Sequence, residues 1–192
     1  MTKTENFEKV TVTSTEELRD WLMAHYARTD SFWLVTYKKH MGDKYLDRFA
    51  VLDQLLCFGW IDGIRRVLDD DRTMQLISPR KTQHWAQSYK DRVARLEGEG
   101  LMHTSGRAAV AASKANGLWD FMNDVDALIV PKDLAAALNA VPPAKAHWEA
   151  FSPSSRRNML RRIKLARSPA TRAKRIAETA TLAAQNQKVP QT

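Results

Sequence analysis

The sequence predicts an α+β fold, in which a small antiparallel sheet with packed helices is followed by an all-helical C-terminal part. Strand-like segments rich in β-branched and aromatic residues are confined to the first 80 residues, where helical patterns alternate with them. After residue 130 only helical patterns occur, and the charge balance changes. With 44% hydrophobic residues, the chain has a globular composition.

The N-terminal part begins with a helix and a strand. Ser14 and Glu17 have the spacing of a capping box, and apolar residues recur after them at helical spacing to about Arg28. The segment 31–38 is dominated by aromatic and β-branched residues, which favours a strand.

A second helix and a hairpin follow. Asp47 is a suitable N-cap for a helix that ends at Gly59. The segments 64–68 and 73–77 flank an acidic turn and are expected to form an antiparallel hairpin closed by Pro79. Further helices are expected at about 82–96 and 105–115, before Gly117.

The C-terminal part is expected to be helical throughout. Proline suits the first turn of a helix, and Pro131 and Pro169 both precede helical patterns. Ser168 is the expected N-cap of the last helix, whereas Ser152, Ser154 or Ser155 could cap the one before it. The predicted helices are 132–140, 144–151, a helix ending near 167, and 169–184.

Charge divides the chain more sharply than hydrophobicity does. Residues 1–130 carry 18 basic and 19 acidic residues, whereas residues 131–192 carry 12 basic and 3 acidic ones. We therefore expect an α+β domain over residues 1–126 and a basic helical domain over residues 127–192, packed on it.

Several classes of protein are disfavoured. The longest stretch without a charged residue is too short and too rich in proline for a membrane-spanning helix, so no membrane insertion is expected. The acidic N-terminus does not resemble a signal peptide, which favours a cytoplasmic location. Cys57 is the single cysteine, so an intramolecular disulfide is excluded and a buried, inert thiol is favoured over a nucleophile.

Several motifs, in the order in which that family has them, resemble the YdeI/OmpD-associated family, whose members are often called bacteriocin-protection proteins. The resemblance covers roughly residues 31–184. It rests on Cys57-Phe58-Gly59-Trp60-Ile61-Asp62-Gly63, Ser78-Pro79-Arg80 with Trp85, Ala115-Asn116-Gly117-Leu118-Trp119-Asp120, and Thr171-Arg172-Ala173-Lys174-Arg175-Ile176. It implies a bacterial protein linked to bacteriocin or antimicrobial stress, and it supplies no catalytic mechanism.

A candidate pocket surrounds the predicted hairpin. Aromatic and ionisable residues concentrate there, and a carboxylate near arginine and histidine can perform acid–base chemistry. The alternative is structural: the tryptophans fill the core, and Asp62 forms a partly buried ion pair with Arg80 or Arg65. The candidate pocket-lining residues are Trp60, Asp62, Arg80, His84 and Trp85.

No catalytic residue, metal site or cofactor is assigned. The five histidines are widely spaced, and no pair of cysteine or histidine residues has the spacing of metal ligands on one turn. The chain also lacks the glycine-rich motifs that bind nucleotides and the nucleophile elbow of hydrolases.

The basic C-terminal helices are the strongest physical signal. Residues 153–175 contain nine basic side chains and no acidic one. These charges bind a polyanion such as nucleic acid, pair with acidic groups elsewhere in the chain, for example residues 69–71, or form a merely solvated surface. The candidate polyanion-binding residues are Arg157, Arg161, Lys164, Arg172 and Arg175.

The leading functional hypothesis is a cytoplasmic binding protein that contacts nucleic acid or another polyanion through its basic helices. The alternative is a small enzyme or ligand-binding domain that uses the candidate pocket. A protein partner in antimicrobial stress is a third hypothesis, and it rests on the resemblance alone.

Overall fold

A computed structural model describes residues 6–189 and divides the chain into two compact units, Met1–Asp120 and Phe121–Thr192. The charge pattern suggested a boundary after residue 126, and the structural division comes after Asp120. Each unit has its own apolar core.

The first unit combines a four-stranded sheet with four α-helices among the described residues. In chain order these are β1 (Lys9–Thr11), α1 (Thr15–His25), β2 (Phe32–Tyr37), a 3₁₀ segment (Lys39–Lys44), α2 (Arg48–Phe58), β3 (Trp60–Val67), β4 (Arg72–Pro79), α3 (Gln87–Gly98) and α4 (Thr104–Ala115). The predicted α+β class is therefore confirmed.

The sheet is mixed rather than purely antiparallel. Its strand order is β1-β2-β4-β3; β4 runs antiparallel to β2 and β3, whereas β1 lies parallel to β2 at the edge. β1 was not predicted from the sequence, because a strand of three residues carries too little alternation to be recognised.

The ends of the helices in the first unit are determined by side-chain caps and by glycine. The Ser14 hydroxyl accepts a hydrogen bond from the Glu17 amide at 3.1 Å, and Asp47 caps α2 through the Phe49 amide at 2.8 Å. Gly59 ends α2 in the left-handed conformation, with a φ of 77°. The predicted helix at 82–96 begins later, at Gln87, because residues 80–86 are irregular.

The second unit is helical throughout its described part, as predicted. It contains α5 (Asn123–Asp126), α6 (Lys132–Ala140), α7 (Ala144–Ala150), α8 (Pro153–Lys164) and α9 (Pro169–Ala184). Ser152 caps α8 and Ser168 caps α9, each by accepting an amide hydrogen bond three residues ahead. Trp148, Leu160 and Ile163 belong to the core of this unit.

Candidate functional site

The two tryptophans of the candidate pocket lie in the core of the first unit. Trp60 and Trp85 are each only 1% exposed. The Trp60 ring packs edge-on against Phe32 at 5.4 Å, and the Trp85 ring lies 4.9 Å from Trp119. These side chains are packing residues, as the structural alternative proposed.

The expected ion pair between Asp62 and an arginine is wrong. Asp62 Oδ1 accepts a hydrogen bond from the Tyr89 hydroxyl at 2.9 Å, and Oδ2 accepts one from the Gln75 amide at 3.2 Å. Arg65 Nη2 donates instead to Gln75 Oε1, at 3.1 Å. The half-buried carboxylate is therefore held by neutral donors.

Arg80 is a buried cation without a carboxylate partner among the described residues. It is 7% exposed, and its guanidinium carbon lies 3.8 Å from the centroid of the Trp85 ring. Nη1 donates to the carbonyls of Gln83 and His84, at 3.3 and 3.4 Å, whereas Nε and Nη2 are buried and have no hydrogen-bond acceptor within residues 6–189. Burial lowers the pKa of Arg80 to about 10. The electrostatic interactions with Tyr89 and Asp62 act in the opposite direction and raise this pKa, but burial is the larger effect.

A cleft of about 310 Å³ opens beside Asp62. We call it the Asp62 cleft. Its apolar side is formed by α2, and its polar side by β3, β4 and α3. It is lined by Arg48, Phe49, Val51, Leu52, Leu55, Asp62, Arg65, Gln75 and Tyr89. Of the predicted pocket residues, Asp62 lines this cleft, while half-buried His84 contributes its carbonyl to Arg80.

An aromatic side chain flanked by arginines stands on the wall of the cleft. Phe49 is 43% exposed, and the guanidinium carbons of Arg48 and Arg92 lie 4.4 and 4.5 Å from its ring centroid. Arg92 is also paired with Asp53 at 2.7 Å. Arg48 and Arg65 have no carboxylate partner within residues 6–189, so two exposed cations border the cleft.

The basic helices of the second unit are partly neutralised from within. Three cations form ion pairs with acids of the same unit: Arg162 with Glu178 at 2.6 Å, Lys164 with Asp124 at 2.5 Å, and Arg172 with Asp133 at 2.7 Å. The hydrogen bonds from Arg172 lower the pKa of Asp133. In the first unit, Asp69 forms an ion pair with Arg72, and Asp71 is hydrogen-bonded to His40.

Other cations on these helices keep their charge uncompensated. Arg157, Arg167 and Lys174 have no carboxylate partner among the described residues, and Arg167 and Lys174 are exposed. Arg175 donates to the backbone carbonyl of Arg162. The predicted polyanion-binding residues thus differ in their surroundings. Lys164 and Arg172 have acidic partners, Arg175 is bound to a backbone carbonyl, and Arg161 is exposed.

Neither a metal cluster nor a reactive thiol emerges from the described residues. Residues 6–189 hold no group of three or more histidine, cysteine, aspartate or glutamate side chains placed to bind a metal ion. Cys57 is fully buried, and this burial raises the pKa of its thiol. None of the described helices is both long enough and apolar enough to span a membrane.

Most residues of the Asp62 cleft were not predicted from the sequence. Arg48 and Phe49 had the pattern of an ordinary helix start, and Gln75 that of an ordinary strand residue. Tyr89 comes to Asp62 from a helix 27 positions further along the chain. A signal was present in Gly63, because an isolated glycine within a strand often marks a bulge, and bulges occur next to functional sites.

The comparisons with known proteins give two family matches, one within each unit. Residues 10–109 match a family described as a domain of unknown function, DUF8412. Residues 127–186 match the family described as bacteriocin-protection, YdeI or OmpD-associated. No curated protein and no solved structure matches the chain significantly. The match at residues 127–186 supports the resemblance to the YdeI/OmpD-associated family there, whereas the motifs at residues 57–85 lie within the DUF8412 match. Because the DUF8412 match covers more than half of the sequence, the chain belongs to the DUF8412 family.

Proposed function

We propose that this protein binds nucleic acid or a similar polyanion through α8 and α9. The observation that carries the proposal is the uncompensated charge on these helices. The second unit has 12 basic and 5 acidic residues, and three of the acids are paired with Arg162, Lys164 and Arg172.

The uncompensated cations favour an anionic partner over a merely solvated surface. Cations on adjacent turns repel one another, and an anion placed over them relieves this repulsion. Arginine also forms two parallel hydrogen bonds with phosphate, which lysine does not. Of the predicted set, Arg157 and Arg175 take part in none of the ion pairs above, and we propose that they contact the polyanion together with exposed Arg161.

Lys164 and Arg172 have a smaller role in this proposal. Each already holds a carboxylate, from Asp124 and Asp133 respectively. A phosphate would have to compete with that carboxylate, so the net gain on binding is smaller. Arg167 and Lys174 join the proposed surface, because both are exposed and lack such a partner among the described residues.

We take the biological setting of this binding from the family that residues 127–186 match. Its description refers to bacteriocin protection, and we propose that this chain acts in the same kind of stress, in the bacterial cytoplasm. Nucleic acids are the abundant polyanions of that compartment, which is consistent with a basic binding surface.

Salt-dependent binding of the full chain to a labelled duplex tests the proposal. If three to five phosphates are neutralised, the slope of log affinity against log salt is about −2.7 to −4.5. Between 50 and 200 mM salt the affinity then falls by about 40- to 500-fold. A single-stranded RNA of equal length measures the preference for strand type. Absence of salt-sensitive binding to either probe at 50 mM salt, with protein up to about 100 µM, would overturn the proposal.

A further inference from the structure

We infer that the Asp62 cleft is a binding site for a small aromatic acid, that is, a flat ring with an anionic group at one end and a hydroxyl or amino donor at the other. This inference concerns the first unit and is independent of the proposed polyanion binding. It rests on the size of the cleft, its apolar side, and the opposite charges placed around it.

The size and the apolar side fit a single ring. A volume of about 310 Å³ lies at the small end of the range for ligand pockets, which begins at about 300 Å³. Val51, Leu52 and Leu55 supply an aliphatic surface from α2, and Tyr89 supplies an aromatic one from α3. A flat ring can pack against both without leaving a polar group unpaired.

The cations at the border of the cleft favour an anionic group on the ligand. Arg48 and Arg65 are exposed and have no carboxylate partner among the described residues. Behind the cleft wall, the guanidinium carbon of buried Arg80 lies 5.7 Å from the Tyr89 ring centroid. Screening by water is weak at a buried site, so this third cation adds to the positive potential in the cleft.

Asp62 favours a hydrogen-bond donor on the same ligand. Its two oxygens accept one hydrogen bond each, from Tyr89 and Gln75, whereas a carboxylate has about four acceptor positions. Since these two hydrogen bonds hold the carboxylate in place, its remaining acceptor positions are fixed before a ligand arrives. A hydroxyl or amino group on the ring can donate to one of them.

An irregularity in the sheet brings the acid and a cation to the same cleft. On a regular strand, residues three positions apart point to opposite faces. The register of β3 against β4 shifts between Asp62 and Arg65: Asp62 pairs with Ile77, and Arg65 with Gln75. Three steps along β3 thus correspond to two along β4, and both side chains line the cleft. Gln75 contacts both, which fixes their relative position.

Three probe compounds separate the features of the proposed ligand. Hydroxybenzoate, as its 3- and 4-isomers, carries both the anionic group and the donor, whereas benzoate lacks the donor and phenol lacks the anionic group. We expect the full chain to bind one hydroxybenzoate isomer with a dissociation constant on the order of 0.1–1 mM, as measured by ligand-observed NMR. Benzoate and phenol should each bind at least about tenfold more weakly.

Matched variants connect this selectivity to the cleft. Asp62→Asn should remove the preference for hydroxybenzoate over benzoate, and the double variant Arg48→Gln/Arg65→Gln should remove the preference over phenol. Arg66→Gln is the control for the Arg65 substitution, because it removes one positive charge one position further along β3, where the guanidinium lies 5.3 Å from the Trp33 ring. Its affinity for hydroxybenzoate should equal that of the wild type.

Two results would overturn the inference. One is the absence of saturable binding of both hydroxybenzoate isomers up to about 10 mM, well above the expected range. The other is binding that the arginine double variant leaves unchanged. Arg48 and Arg65 are exposed, so this variant is expected to fold and to decide the matter even if Asp62→Asn does not fold.

Discussion

Replacing Gly106 with alanine should destabilise the first unit, because α4 packs directly against the end of α2 at this residue. A Cβ atom at position 106 would lie 2.1 Å from the carbonyl oxygen of Cys57 and 2.7 Å from its carbonyl carbon. Both are backbone atoms, so the clash cannot be relieved by rotating a side chain. The same Cys57 oxygen accepts a hydrogen bond from the His103 amide at 3.0 Å, which holds the two segments together.

The size of the effect follows from two opposing contributions. Inserting a methyl group into a packed site costs about 1–3 kcal/mol, and a contact with backbone belongs at the upper end of that range. In the opposite direction, alanine stabilises the folded helix by about 1 kcal/mol relative to glycine, because it is a better helix former. We therefore expect Gly106→Ala to lower the free energy of unfolding by about 2 kcal/mol.

Gly98→Ala is the matched control for this prediction. Gly98 is the last residue of α3, and an added Cβ there meets no atom within 4 Å. We expect Gly98→Ala to raise the free energy of unfolding by up to about 1 kcal/mol. Urea unfolding followed by tryptophan fluorescence reports mainly on the first unit, which holds five of the six tryptophans. A midpoint for Gly106→Ala at or above that of the wild type would refute the packing argument.

Two further predictions concern stability. Trp85→Ala should lower the free energy of unfolding by about 3–5 kcal/mol, because the side chain is 1% exposed and its removal leaves a cavity; an unchanged urea midpoint would contradict this burial. Asp133 has its pKa lowered by Arg172, so the pair stabilises the fold above the ordinary aspartate pKa, and this contribution is lost as the pH falls through the lowered value. The melting temperature of Asp133→Asn should thus lie below that of the wild type near pH 6, and the difference should shrink as the pH falls below the ordinary aspartate pKa; a difference that widens in acid would contradict the sign.

Local sequence signals were sufficient for most of the fold. Ser14, Asp47 and Ser168 cap helices as predicted, since capping depends on residues within one turn. The hairpin was predicted from its acidic turn, although β3 begins at Trp60 rather than residue 64. The parallel edge strand β1 was not predicted, because its pairing with β2 depends on tertiary contacts and not on its own three residues.

The candidate site was less predictable than the fold. Asp62 was singled out from the sequence, yet its partners Tyr89 and Gln75 were not, because they come from other elements of the structure. The position of Asp62 between two glycines also suggested an ion pair with Arg80 or Arg65, whereas the Arg80 guanidinium stacks on Trp85 and Arg65 donates to Gln75. The bulge that brings Asp62 and Arg65 to one cleft is a property of strand pairing, and a single strand does not encode it unambiguously.

The proposed polyanion binding is tested most directly by comparing the salt dependence of two triple variants with equal net charge. Arg157→Gln/Arg167→Gln/Lys174→Gln removes three cations from the second unit, whereas Lys39→Gln/Lys44→Gln/Arg66→Gln removes three exposed cations from the first. The proposal predicts that the first variant reduces the slope of log affinity against log salt by about 2–3, while the second leaves it near the wild-type value. Equal reductions in both variants, or none in either, would contradict the assignment of binding to the basic helices.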